Sequence, residues 1–202
     1  VSAISDPDEG MRQGAAAVCG QIIGETPKQF SRHTELLASG LCDALVVASP
    51  NHTHHAIMRD LLKSDLPILC EKPVGISEEE CSDILTWARN RDAPVWVAME
   101  YRYMPPIGSL IDDVHSGRIG KPVMLAIREH RFPFLEKVGD WNRFNRNTGG
   151  TLVEKCCHFF DLMRTILQSM PTRIYASAGA DVNHVDERHE GKTPDILDNA
   201  YV

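Results

Sequence analysis

Three apolar runs constrain this chain more than anything else in it: Asp43–Ser49 (DALVVAS), Pro67–Cys70 (PILC) and Pro94–Met99 (PVWVAM). A continuous apolar run is the pattern of a strand covered on both faces, as strands are in a parallel sheet. Helix signals lie between them. His52–Ser64 is amphipathic, with Ala56, Ile57, Leu61 and Leu62 on one side. Ser77 opens another helix, and Glu80 three positions later completes a capping box ahead of Ile84, Leu85 and Trp87. Upstream, Val1–Ser5 is a short apolar run stopped by Asp6-Pro7, residues 8–20 form an Ala-rich helix, and residues 31–40 form a second helical segment. Strand and helix alternating with short joins predicts right-handed crossovers and a doubly wound α/β sheet. Ligands of such sheets bind beyond the carboxyl ends of the strands, so chemistry is expected just after Ser5, Ser49, Cys70 and Met99.

The pattern changes near residue 103. Residues 104–117 read as a helix ended by Gly117, and Lys121–Arg131 as a longer strand. A loop rich in Asn, Arg and Gly runs to Gly150, Thr151–Gln168 reads as one strong helix, and Arg173–Ala178 as a strand with one solvated face. Residues 180–195 are polar and loop-like. Two domains are therefore expected, 1–103 and 104–202. Val1 opens directly into an apolar run and Leu197–Val202 is a strand barely begun, so the chain is expected to be a piece of a longer one.

Composition removes several classes of partner. A net charge of −7 disfavours nucleic acid, whose phosphates would be repelled. No apolar run approaches the roughly 20 residues that span a bilayer, and no basic-then-apolar leader is present, so no membrane partner is expected. Six cysteines without a CxxC pair read as reduced thiols of a cytoplasmic protein. His52, His54, His55 and Cys156-Cys157-His158 invite a metal, but helical neighbours diverge by about 100° and no zinc spacing is matched. No metal is expected.

Candidate groups sit where the sheet argument places them. Asp6 ends the first strand, where a carboxylate accepts hydrogen bonds from a ribose; an Asp-Pro turn is the plain alternative. Ser49, Pro50, Asn51 and His54 follow the second run, either as a simple strand-to-helix loop or as groups facing a cofactor. Glu71-Lys72-Pro73 follows the third, as a surface ion pair or as an ammonium at a cleft beside a bound hydroxyl, with Pro73 open to the cis form. In the helix from Thr151, Glu154, His158 and Asp161 share one face within apolar surroundings, which favours a polar cleft over solvent. A histidine beside carboxylates suits proton transfer near neutral pH. Gly149-Gly150 exposes the first amides of that helix, and Trp141, Arg143, Asn145 and Arg146 supply a ring and donors suited to a carbohydrate or to a polar surface.

Together the segments ASPNHTHHAI (48–57), CEKPVGIS (70–77), MEYRYMPPIGSL (99–110), SGRIGKP (116–122) and TGGTLVEKCCHFFDL (148–162) resemble the Gfo/Idh/MocA oxidoreductases, the glucose-fructose oxidoreductase and inositol dehydrogenase family. The resemblance implies a Rossmann domain lacking its first strand and glycine loop, then part of an α+β substrate domain with an open antiparallel sheet. It implies hydride transfer between a nicotinamide cofactor and a secondary alcohol of a sugar, inositol or related polyol. Lys72 would contact substrate hydroxyl and nicotinamide, and His158 would move the proton. The carboxylate four residues earlier is usually Asp in this family; here it is Glu154, followed by Lys155, which opens its role and the substrate. Cofactor contacts would come from Asp6, Ser49, Pro50, Asn51, His54, Glu71, Lys72 and Arg102, with Asp6 favouring NAD over NADP. Trp141, Arg143, Asn145, Glu154, His158 and Lys72 would meet the substrate. A homo-oligomer is implied for the full-length protein, and these 202 residues alone are expected to be inactive. The alternative is a non-catalytic relative that binds a nucleotide or sugar and regulates a partner.

Overall fold

The three apolar runs pair as expected: in the computed structural model, which describes residues 1–202, β3 (Leu45–Val47), β4 (Ile68–Cys70) and β5 (Val95–Val97) form one parallel ladder. Its register sets Val47 beside Cys70 and Cys70 beside Val97. Helices α3 (His54–Leu61) and α4 (Glu78–Arg89) follow β3 and β4. Leu45, Val47, Met58, Leu61, Leu62, Ile68, Cys70 and Ile84 close a single apolar core between strands and helices. The capping box forms: Ser77 Oγ accepts from the Glu80 amide at 3.2 Å, while the Glu80 carboxylate accepts from the Ile76 amide at 2.8 Å.

Upstream lie β1 (Ala3–Ser5), α1 (Glu9–Ile23), β2 (Lys28–Phe30) and α2 (His33–Ala38). Helix α1 is capped by Asp8, which accepts from the Met11 amide, and stops at Gly24 in the left-handed region. Strand β2 was not foreseen, because three residues of sequence KQF carry no apolar run; it forms as a parallel partner of β1. The parallel strands fall into two ladders, β1–β2 and β3–β4–β5, with no hydrogen bonds joining β1 to β3.

Downstream, α5 (Pro105–His115) begins on prolines suited to a first helical turn. The strand expected over 121–131 does not form. No other segment ladders against it, and its apolar side chains Val123 and Met124 stand 97% and 87% exposed. A segment of 3₁₀ turns (Val138–Arg143), kinked at Gly139 and Asp140, and α6 (Asn145–Thr148) lead to the region of Thr151. The single helix expected there is broken at Lys155–Cys156 into α7 (Thr151–Glu154) and α8 (Cys157–Leu167). Finally β6 (Ser177–Gly179), later than the Arg173–Ala178 segment read from sequence, pairs antiparallel with β7 (Asn199–Tyr201), which lies within the expected Leu197–Val202. No helix is long and apolar enough to cross a membrane.

Candidate functional site

Lys72 is positioned by what lies behind it. Cys70 ends β4 fully buried, and burial raises its thiol to about 12, so it packs as a neutral wall. The Lys72–Pro73 peptide is cis. His54, 0% exposed, faces the Pro73 carbonyl with Nδ1 at 2.8 Å and the Ser49 carbonyl with Nε2 at 2.9 Å. It therefore ties the turn after β3 to the turn after β4, and no ring nitrogen is left for a ligand. Ser49 and Pro50 accept from the Thr53 hydroxyl, Asn51 is buried with Nδ2 unpartnered, and Glu71 is exposed. Asp6, at the end of β1, accepts from the Asp8 amide at 2.8 Å, the Asp-Pro turn in its plain form.

The break between α7 and α8 makes the other half of the site. In a continuous helix the His158 amide would take the Glu154 carbonyl. Here α7 stops, and the Lys72 ammonium donates to that carbonyl at 2.9 Å. Gly149 lets this happen: its φ is 77°, and a Cβ there would meet the Ile76 carbonyl at 2.6 Å, so only glycine allows α7 to approach the loop after β4.

His158 is 2% exposed, its Nε2 lies 3.4 Å from Glu100, and its Nδ1 is buried without a partner. Tyr101 stacks on the imidazole, ring centroids 4.2 Å apart and nearly parallel. Burial is the main cause holding His158 below the usual histidine range, joined by the nearby Lys72 and Lys155, with Glu100 opposing. Glu154 is 9% exposed with Oε2 unpartnered; burial pushes its carboxyl up, against the pull of Lys72, Lys137, Arg131 and Arg143. Lys72, Glu154 and His158 line one cleft of about 190 Å³, with Glu100 and Asn142 on its wall.

The remaining predicted residues lie elsewhere. Arg102 is paired with Asp161, so the third member of the Glu–His–Asp stripe serves as its anchor. Arg143 is buried behind the cleft, donating to Glu187 at 2.7 Å. Asn145 donates through both backbone and side chain to Asp195. Trp141 sits against the His52 ring at 6.3 Å. Sequence reasoning missed Glu100 and Tyr101, although the rule that directed attention to residues after Met99 contained them. It missed Lys155 as the group bound to the Tyr101 hydroxyl and to Glu129.

Comparison with known proteins bears on the family and the fold. The oxidoreductase family GFO_IDH_MocA matches through its NAD-binding Rossmann fold over residues 1–99 and through its C-terminal alpha/beta domain over 111–202. The rhizopine catabolism protein MocA of Rhizobium meliloti is 26% identical over 85% of this chain and 50% of its own length. Inositol 2-dehydrogenase 1 of Saccharopolyspora erythraea is 31% identical over 86% of this chain and 48% of its own. The chain thus spans about half the length of these curated relatives. In structure, myo-inositol dehydrogenase from Lactobacillus casei, solved with NAD(H) and myo-inositol, superposes with a TM-score of 0.70 over 99% of this chain and 54% of its own, at 22% identity.

Proposed function

The chain belongs to the Gfo/Idh/MocA oxidoreductase family, and on that premise we propose that it serves hydride transfer between a nicotinamide cofactor and a secondary alcohol of a sugar, inositol or related polyol. The observation that carries the reading is the meeting of Lys72, Glu154 and His158, from three separate elements, in one cleft. The relatives that are inositol dehydrogenases support the class of substrate.

The residues present fit the cofactor. The Lys72 ammonium has a backbone carbonyl as its protein partner, and His158 Nδ1 and Glu154 Oε2 are buried with none, so three polar groups await a ligand. Ser49, Pro50 and Lys72 would hold the nicotinamide end, and Asp6 the adenosine ribose, which favours NAD over NADP. When bound, the nicotinamide supplies the acceptor for the hydride. His158, kept neutral by burial, takes the hydroxyl proton of the substrate. Lys72 donates to the same oxygen and stabilises the charge developing there. Glu154 orients a neighbouring hydroxyl through its free oxygen. In this reading residues 1–103 hold the cofactor and 104–202 the substrate, and the six unpaired cysteines support a reducing, cytoplasmic setting.

The test is a fluorescence titration of NADH against the chain, with Lys72→Ala alongside. Saturable binding weakened about tenfold or more by the substitution is the expected result. Binding indifferent to it would remove Lys72 from the nicotinamide. If the folded chain ignores NADH, the same titration moves to a version of the relatives' full length, and indifference of that version to both NADH and NADPH would sink the dehydrogenase reading.

A further inference from the structure

The cleft holds more cations than its own carboxylates use. Around it, Lys155 is neutralised by Glu129 at 3.3 Å, Arg143 by Glu187 at 2.7 Å and Arg102 by Asp161. Arg131 and Lys137 line the cleft and make no ion-pair contact with any carboxylate, acting on the buried Glu154 only through longer-range attraction. Arg131 is exposed, its guanidinium carried over the rings of Phe132 and Phe134 at 5.1 and 5.3 Å. Lys137 is likewise exposed, on the same irregular segment. Of the two carboxylates on the wall, Glu100 lies against His158, and Glu154 is buried with its charge disfavoured. Lys72 adds a third cation that has no carboxylate partner. A neutral polyol needs none of this, since hydroxyls are bound by amides, carboxylates and single donors. An exposed pair of unpaired cations at the mouth of a small cleft is instead complementary to an anion.

We propose that the substrate carries an anionic substituent, a carboxylate or a phosphate, and that Arg131 and Lys137 hold it at the mouth of the cleft while the reacting hydroxyl reaches Lys72 and His158. The inference rests on the dehydrogenase reading and narrows its substrate class to sugar acids or sugar phosphates. The guanidinium offers a two-pronged contact to either anion, and the ammonium a point charge beside it. Phe134, beneath the guanidinium and on the cleft wall, restricts where the fork can lie.

Calorimetric titration of the 202-residue chain with D-glucuronate, D-glucose 6-phosphate and D-glucose, in the presence of NADH, tests this. At least one anionic sugar should bind about tenfold or more tighter than glucose, an advantage that shrinks as salt is raised. Which of the two is preferred identifies the anion. In the double variant Arg131→Ala/Lys137→Ala the ratio between anionic and neutral sugar should fall toward one, and Arg131→Lys should keep part of it. Equal affinity for all three sugars overturns the proposal, as does a preference that survives the double variant. So does a double variant that weakens NADH while leaving the sugar preference intact. If no sugar binds, the proposal falls as well, and the NADH titration then reports separately whether the dehydrogenase reading stands. Sugar preference without NADH binding at either length keeps the anion site and removes the dehydrogenase.

Discussion

The two halves of this site are held by different physics. Lys72 stands on a ladder backed by eight buried apolar residues from β3, α3 with the Leu62 that follows it, β4 and α4, with His54 and Asn51 as the buried polar groups at its edge. Glu154 and His158 stand in a region where much of what is buried is polar: Asn142, Arg143 and Thr148 as well as the two themselves. Apolar burial is non-directional and tolerates small errors of placement, whereas buried polar groups demand partners of fixed geometry. The Lys72 side thus has a platform set mainly by packing, with His54 as its one polar tie, and the Glu154–His158 side one set by hydrogen bonds and charges. The contact from the Lys72 ammonium to the Glu154 carbonyl lies on the seam between them, beside the approach of Gly149 to the Ile76 carbonyl.

The sharpest way to break this contrast is to cut the apolar platform. Met58 is 0% exposed at the centre of the core. Met58→Ala should lower stability by about 2–5 kcal/mol, read as a fall in the urea midpoint of the transition that reports the parallel ladder. A loss below about 1 kcal/mol would mean that the core relaxes around the gap and does not act as a rigid platform.

The same contrast explains what could be read in the sequence. Continuous apolar runs report strands buried on both faces, and DALVVAS, PILC and PVWVAM each found their partners. The Ser77–Glu80 capping box was legible because both of its bonds are local. Lys72, Glu154 and His158 could be named from residue type and position, but their meeting could not. It depends on a helix break after Glu154 that apolar periodicity over 151–168 does not record. It also depends on Gly149, whose reason is a carbonyl distant in sequence. Residues 121–131 read as a longer strand, yet a strand exists only where another can pair with it. His54 reads as a free imidazole beside a ligand edge, since nothing local announces that the Pro73 carbonyl, with that of nearby Ser49, occupies it.

Acid should separate the halves by loosening the polar one first. Burial would raise the Glu187 carboxyl, but hydrogen bonds from Arg143, His184 and His189 outweigh it and hold the group at about 2. Asp198 is likewise held at about 2: burial pushes up, and the amides of Asn183, Val182 and Asp181 pull down further. Both are carboxylates whose folded values lie below their unfolded ones. Their stabilisation is therefore fully present above the ordinary values of 4.5 and 3.8, and is lost as pH falls toward about 2. Hydrogen exchange over residues 180–198 should rise between about pH 4.5 and pH 2, while β3, β4 and β5 stay protected at the start of that range. Simultaneous opening of both regions would show that the halves behave as one cooperative unit.

The smallest effect probes the seam from the apolar side. Ser77 caps α4, and Glu80 returns the bond to the amide of Ile76, the residue whose carbonyl Gly149 approaches. Ser77→Ala should cost about 1 kcal/mol of stability, the usual loss for a cap. If the placement of Lys72 depends only on β4 and its contact with the Glu154 carbonyl, the loss should appear in the ladder transition alone and leave NADH affinity almost unchanged. If the loop from Pro73 to Ile76 is itself part of the seam, fraying α4 also moves the carbonyl against which Gly149 is packed. NADH affinity should then fall by more than the stability change accounts for. Measuring both on one variant tells whether Lys72 is placed by β4 alone or by β4 and the polar half together.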